Sequence, residues 1–195
     1  MTQAPRSSEV TSIPLDSMKR MRALAHPLRM KLLAELRVTS PATVGALATQ
    51  FGESAGSVSY HLKALAAGGF IERAAGVSED RRETWWQARH DFTEFAGDSA
   101  TATPEFRESN NQLRHQAVDV LAGELHTAIE RERELTAEWV SAGGSSDIVT
   151  FLSPAELSEA RDELMAVLSK WHSRSDRART EARAAYLIGH AIVKP

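Results

Sequence analysis

The hydrophobic positions in the first half of the chain fall into short helical stripes. Met18, Met21, Leu24 and Ala25 recur at the spacing of one helix face, and Leu28, Leu32 and Leu36 form a second stripe behind Pro27. Proline at a first helical position costs little, because its missing N–H has no intrahelical partner there. A third stripe, Val44, Leu47, Ala48 and Phe51, follows Ser40 as N-cap and Pro41 at the first position, and Gly52 ends it. Ser54 caps a fourth helix that runs to about Ala67 and is closed by Gly68 and Gly69. The period then changes. Residues 70–74 and 84–89 predict two strands, with the charge-rich GVSEDRRE between them as a hairpin tip.

Beyond the Gly/Ser/Thr-rich AGDSATATP, Thr103 caps and Pro104 starts one long helix, expected to run to about Ser141, before Gly143 and Gly144. Its stripe is Phe106, Leu113, Ala117, Val120, Leu121, Leu125, Ala128, Leu135 and Trp139. At 1.5 Å per residue such a helix is about 55 Å long, more than one small domain needs to cover itself, which predicts a packing partner. The last fifty residues read strand–helix–strand: 148–152, a capping box at Ser153–Glu156, a stripe of Leu157, Ala160, Leu164, Leu168 and Trp171, then β-rich residues from 184 to 193.

With 195 residues, 42% hydrophobic and 25% charged, the chain has ordinary globular usage and enough length for a core. It has no cysteine, which removes disulfides, thiolate nucleophiles and cysteine-based metal sites. No apolar run approaches the roughly 18 residues of a membrane span. The first sixteen residues are polar, without a signal-peptide core, and are expected to form a loose tail. The expectation is a soluble, cytoplasmic protein. Charge is uneven: from Asp16 to Asp91 there are 11 Lys plus Arg against 8 Asp plus Glu, a net of +3, and from Phe92 onward 11 against 17, a net of −6. Only the first part is suited to meet a polyanion.

Two helices joined by a glycine-containing turn, then a hairpin with a basic tip, is the order of a winged helix-turn-helix. At 100° per residue, Val58, Leu62 and Leu65 share the buried side of the second helix. Gly56, Ser57, Tyr60, Lys63 and Ala64 lie opposite, with Ser54, Ser59 and His61 on the flanks. That outward set is small, hydroxylated or cationic and contains no acid, as a helix entering the major groove of double-stranded DNA requires. Arg81 and Arg82 at the hairpin tip reach toward backbone or minor groove, and Arg29 is a further phosphate candidate. His61 is read as a partial DNA contact, and His26 beside Pro27 as a helix-start residue.

Leu24-Ala25-His26-Pro27-Leu28-Arg29 with Leu32-Leu33, Ser57-Val58-Ser59-Tyr60-His61-Leu62-Lys63-Ala64-Leu65 and Gly68-Gly69-Phe70-Ile71 resemble the ArsR-type winged-helix transcriptional regulators. The resemblance covers roughly residues 17–91. Arg81-Arg82 followed by Trp85-Trp86 looks like a branch of that family with long helical C-terminal extensions. The resemblance implies a homodimeric, sequence-specific DNA-binding regulator, with recognition helices in successive major grooves of a palindrome. The chain departs from the family's metal sensors. It lacks their cysteines, and although His115 and His126 have the ten-residue gap of a zinc-binding pattern, Leu113 and Ile129 stand at the flanking ligand positions. Asp119 and Glu130 one turn after each histidine are read as ion-pair neighbours, so no metal and no cofactor is assigned.

Trp85, Trp86, Trp139 and Trp171 are read as core and dimer packing, with an apolar pocket for a small-molecule effector as the alternative. Gly52-Glu53-Ser54-Ala55-Gly56 matches the G-x-S-x-G nucleophile elbow of α/β-hydrolases letter for letter. The elbow needs a buried strand before the serine, whereas Val44 to Phe51 has helical period, and an HGGG-type oxyanion loop is missing. The chain is therefore expected not to be an enzyme. The remaining competitor is a winged helix used only for protein interaction. The fold expected is mainly α with a small β-hairpin wing. It divides into a tail at 1–16, a winged helix-turn-helix at 17–92, a linker at 93–103, a long dimerisation helix at 104–142 and a small α+β C-terminal unit at 143–195 that holds an effector or completes the dimer.

Overall fold

The computed structural model describes residues 10–75, 83–95, 102–176, 182–185 and 187–192. They fall into two compact units, one of Thr11–Leu135 and one built around Thr136–Pro195. The first contains β1 (Ser12–Pro14), α1 (Met18–Leu24), α2 (Pro27–Thr39), β2 (Ala42–Thr43), α3 (Val44–Phe51), α4 (Ala55–Ala67), β3 (Ile71–Arg73), β4 (Trp85–Ala88), β5 (Phe92–Glu94) and α5 (Pro104–Arg131). Its core gathers Met21 and Leu24 of α1, Leu32, Leu33 and Leu36 of α2, Leu47 of α3, Val58, Leu62 and Leu65 of α4, Phe70, Ile71, Trp86 and Leu113. The wing is a three-stranded antiparallel sheet in the order β2-β4-β3, with Ala42 opposite Trp86 and Ile71 opposite Ala88.

Four sequence expectations change. Residues 1–16 are not a tail throughout: β1 pairs in parallel with β5, Ile13 opposite Thr93, and Ile13 and Leu15 are 2% and 0% exposed. The Asp91 carboxylate holds this segment by accepting from the Thr11 amide and hydroxyl, both at 2.8 Å. Two apolar residues spaced by a proline carry no readable period, and the partner strand lies eighty residues away. Arg37 of α2 fastens β5 from the other side, donating to the His90 carbonyl at 3.1 Å and to the Thr93 hydroxyl at 2.9 Å. Burial lowers its pKa to about 10, and the Asp91 charge works against that shift.

The second change concerns α3, which starts at Val44 with Thr43 as N-cap rather than at Ser40. Ser40, followed by a cis peptide to Pro41, instead bonds the Leu36 carbonyl through its hydroxyl and accepts from the Ala88 amide at 3.0 Å. It closes α2 and ties it to β4. Third, the long helix ends at Arg131, passes through a 3-10 turn at Glu132–Glu134 and resumes as α6 (Ala137–Ala142). Glu130, Glu132 and Glu134 crowd carboxylates onto the negative end of the helix dipole, and Leu135 turns extended.

In the second unit, α7 (Pro154–Ser173) has the expected capping box, with Ser153 and Glu156 bonded reciprocally. The fourth change is that its flanks are not strands: none is present at 148–152 or in the described part of 184–193, and Ile148, Val149 and Phe151 are 86%, 71% and 98% exposed. β-branched residues make a strand only where a neighbouring strand or face covers them.

Because Leu15 is fully buried, Leu15→Ala is expected to destabilise the fold by about 2–4 kcal/mol in urea unfolding followed by circular dichroism. An unchanged midpoint would return this segment to the status of a tail.

Candidate nucleic-acid interface

The turn between α3 and α4 is set by Gly52, whose φ of +64° lets its amide bond back to the Ala48 and Thr49 carbonyls. Ser54 then leaves the chain extended, and its hydroxyl accepts from the Ser57 amide at 3.1 Å, starting α4. On the inner side of α4, Val58, Leu62 and Leu65 are all 0% exposed, and the helix packs against α1, α2 and α3. Each such side chain contributes roughly 1.5–3 kcal/mol, so the roll of the helix about its axis is fixed from the inside. Ser54, Gly56, Tyr60 and Lys63 are exposed, and Ser57 and Ser59 half-buried. Tyr60 is 66% exposed. The helix itself carries no acid and one cation, Lys63, and the nearest carboxylate is that of Glu53 in the turn before it.

Two residues read from sequence as DNA contacts, His61 on the flank of this face and Arg29 on α2, are engaged inside the domain. His61 is 8% exposed, its ring 4.3 Å from that of His26 and 5.2 Å from that of Tyr60. Its flank lies only about 60° from Val58, on the buried side. Burial first, then the His26 and Arg29 charges, lower its pKa, and Glu53 opposes them. Arg29 is half-buried, and its Nη2 donates to the Arg22 and Ala25 carbonyls at 3.0 and 3.1 Å, capping the end of α1. Burial lowers the Arg29 pKa, against the influence of Tyr60. His26 is the helix-start residue expected: it is the N-cap of α2, its Nδ1 accepting from the Leu28 amide at 3.1 Å.

On the wing, Trp86 is 7% exposed, and the Arg73 guanidinium lies 5.9 Å from its ring centre. Arg73 is an exposed cation that the sequence reading did not single out, because an alternating strand of three residues gives no direction. Arg89 instead pairs with Glu72 at 3.3 Å. Arg81 and Arg82 lie outside the described residues. Trp85 and Trp86 belong to the first unit. Trp139 and Trp171 belong to the second, under the guanidinium groups of Arg183 at 5.7 Å and Arg174 at 4.6 Å. His115 and His126 are exposed, and among the described residues no three His, Asp or Glu side chains gather as a metal site. Ser54 stands between two helices with its hydroxyl engaged at the start of α4, not on a strand-to-helix elbow.

A helix-turn-helix whose second helix presents an acid-free face, followed by an antiparallel wing, is the DNA-binding domain of transcription regulators. Residues 24–74, from the last residue of α1 to just past β3, match the family model of the helix-turn-helix domain. Among solved structures the chain is similar to RV1404 from Mycobacterium tuberculosis, at 16% identity over 84% of this chain and 77% of that one, with a TM-score of 0.28. It is also similar to ZitR of Lactococcus lactis, a zinc-responsive MarR family member, at 14% identity over 86% of this chain and 87% of that one, with a TM-score of 0.26. No curated protein matches the chain. Among the described residues, no helix is long and apolar enough to cross a membrane.

Proposed function

We propose that the chain is a sequence-specific transcriptional regulator that binds a palindromic operator as a homodimer and carries out no catalysis of its own. The observation that carries this reading is the outer side of α4, where Ser54, Gly56, Tyr60 and Lys63 stand exposed on a helix without an acid. In this reading Gly56 lets the backbone approach the groove, Lys63 neutralises a phosphate, and Ser57, Ser59 and Tyr60 meet base edges. Arg81 and Arg82 extend the phosphate contacts from the wing tip. Homodimerisation is supported by the far half of α5. At 28 residues, α5 is about 42 Å long. Phe106, Leu113, Ala117 and Val120 pack on the core, whereas Leu121 is half-buried and Leu125 and Ile129 are 38% and 65% exposed.

The test is fluorescence anisotropy on duplexes tiled across the upstream region of the protein's own gene, with nonspecific competitor at roughly physiological salt. Saturable binding to one tile is expected. Lys63→Ala is expected to weaken all duplexes alike and to lower the salt slope by about one. Tyr60→Ala is expected to reorder the preferred sequences; an unchanged order removes Tyr60 from base readout. Weak, uniform, salt-labile binding would favour a protein-interaction module instead. Leu121→Arg is expected to give monomers by light scattering and to abolish tight operator binding. A persistent dimer would place the seam elsewhere.

A further inference from the structure

Two imidazoles meet where α4 is seated on α2. The His26 ring lies 4.3 Å from that of His61 at an interplanar angle of 41°, and the His61 ring in turn meets the Tyr60 ring edge-on at 5.2 Å and 74°. The three rings form a row from the N-cap of α2 to the exposed Tyr60 of α4. His26 Nδ1 accepts the Leu28 amide, so this nitrogen must be bare for the cap to exist, and the ring proton sits on Nε2. His61 is more than nine-tenths buried, and its Nδ1 has no hydrogen-bond partner in the structure.

The charged and titratable groups that act on His61 come from three places. His26 and Arg29 face it from α2, Glu53 from the turn before α4, and Tyr60 from α4 itself. Arg29 cannot swing away cheaply, because it is bonded to the end of α1. A second cation would therefore sit against a fixed guanidinium and another imidazole, with Glu53 as the sole acid among them.

We infer that His26 and His61 are positioning residues for the reading face: stacked on each other they seat α4 and Tyr60 on α2, and protonation of the buried His61 unseats both, so that operator binding weakens on acidification. This rests on the DNA-binding reading above. The sign follows from burial, His26 and Arg29 all lowering the His61 pKa. The stabilisation is complete above the unperturbed histidine value of about 6.5 and is lost as the pH falls through the lower folded value. A histidine acting as a surface cation on phosphate would behave oppositely, gaining affinity in acid.

The experiment uses the full chain in two arms. First, without DNA, the imidazole and Tyr60 ring signals are followed by NMR from pH 7.5 to 5, with His61→Phe and His26→Asn for assignment. His26→Asn keeps an N-cap acceptor and serves if His61→Phe does not fold. The His61 signal is expected to titrate below the unperturbed histidine range and to carry the His26 and Tyr60 ring signals with it. Rings that titrate while Tyr60 stays unmoved overturn the inference, even if no duplex binds at any pH. Second, anisotropy on the bound tile is compared at pH 7.5 and 5.5 at constant ionic strength. The wild type is expected to weaken by about twofold to fivefold, short of the roughly tenfold limit that one proton gives below both values when its pKa differs by one unit between free and bound protein. His61→Phe, which keeps a ring without a titrating nitrogen, is expected to give superimposable curves at the two pH values. Affinity that rises in acid, or a His61→Phe variant that retains the wild-type pH dependence, overturns it.

Discussion

The complete burial of Val58, Leu62 and Leu65 on one side of α4 is the constraint on which the rest of the domain depends. α4 packs against α1, α2 and α3, so its apolar side is covered by the remainder of the domain while the other side is left open. Once they are inside, the residues that face outward are settled by the 100° step of the helix, with no further interaction required. Rolling α4 by one residue would expose about half of this apolar side and bury Ser57 or Ser59 without partners. Both changes cost more than any contact on the outer face could return. Fold and reading face are in this sense one arrangement.

The parts of the structure visible from sequence are those whose cause is local. Ser54, Gly52 and Pro27 act within one turn of where they stand, and the α4 stripe needs only its own thirteen residues. The parts that were not visible depend on distant partners. Ile13 and Leu15 are buried because β5 arrives from eighty residues away, and Thr43 displaces Ser40 as a cap because β2 must pair with β4. The 148–152 segment shows the converse: strong strand formers remain outside any sheet where the described residues offer them no neighbour. His61 lies between the two cases. Its angle from Val58 already leaned inward, but the choice was made by a ring at the start of another helix.

Polar links play a different role from the apolar core, because they connect elements that the core only brings near one another. Ser40 joins the last turn of α2 to β4, and Arg37 joins the same helix to the segment that carries β5. Asp91 then ties β5 to the chain before β1. The end of α2 is thereby connected to the wing and to the N-terminal strand through side chains that a stripe of leucines alone could not direct.

The same helix holds the reading helix at its other end. His26 caps α2 and stacks on His61, and Arg29, one turn further, fastens the helix to the end of α1. α2 therefore has the reading helix seated at its start and the wing attached at its finish, about 20 Å apart for thirteen residues at 1.5 Å each. Under the proposed function, a rigid helix between two contacts with DNA would set their spacing, and spacing would decide whether helix and wing engage successive features of a duplex together. A change at the His26 end alters the seat of α4 while leaving the wing's attachment intact, so it changes the distance between the two contacts rather than removing either. That geometry lets the imidazole pair act on the position of the whole outer face of α4, where an exposed residue acts only on its own contact.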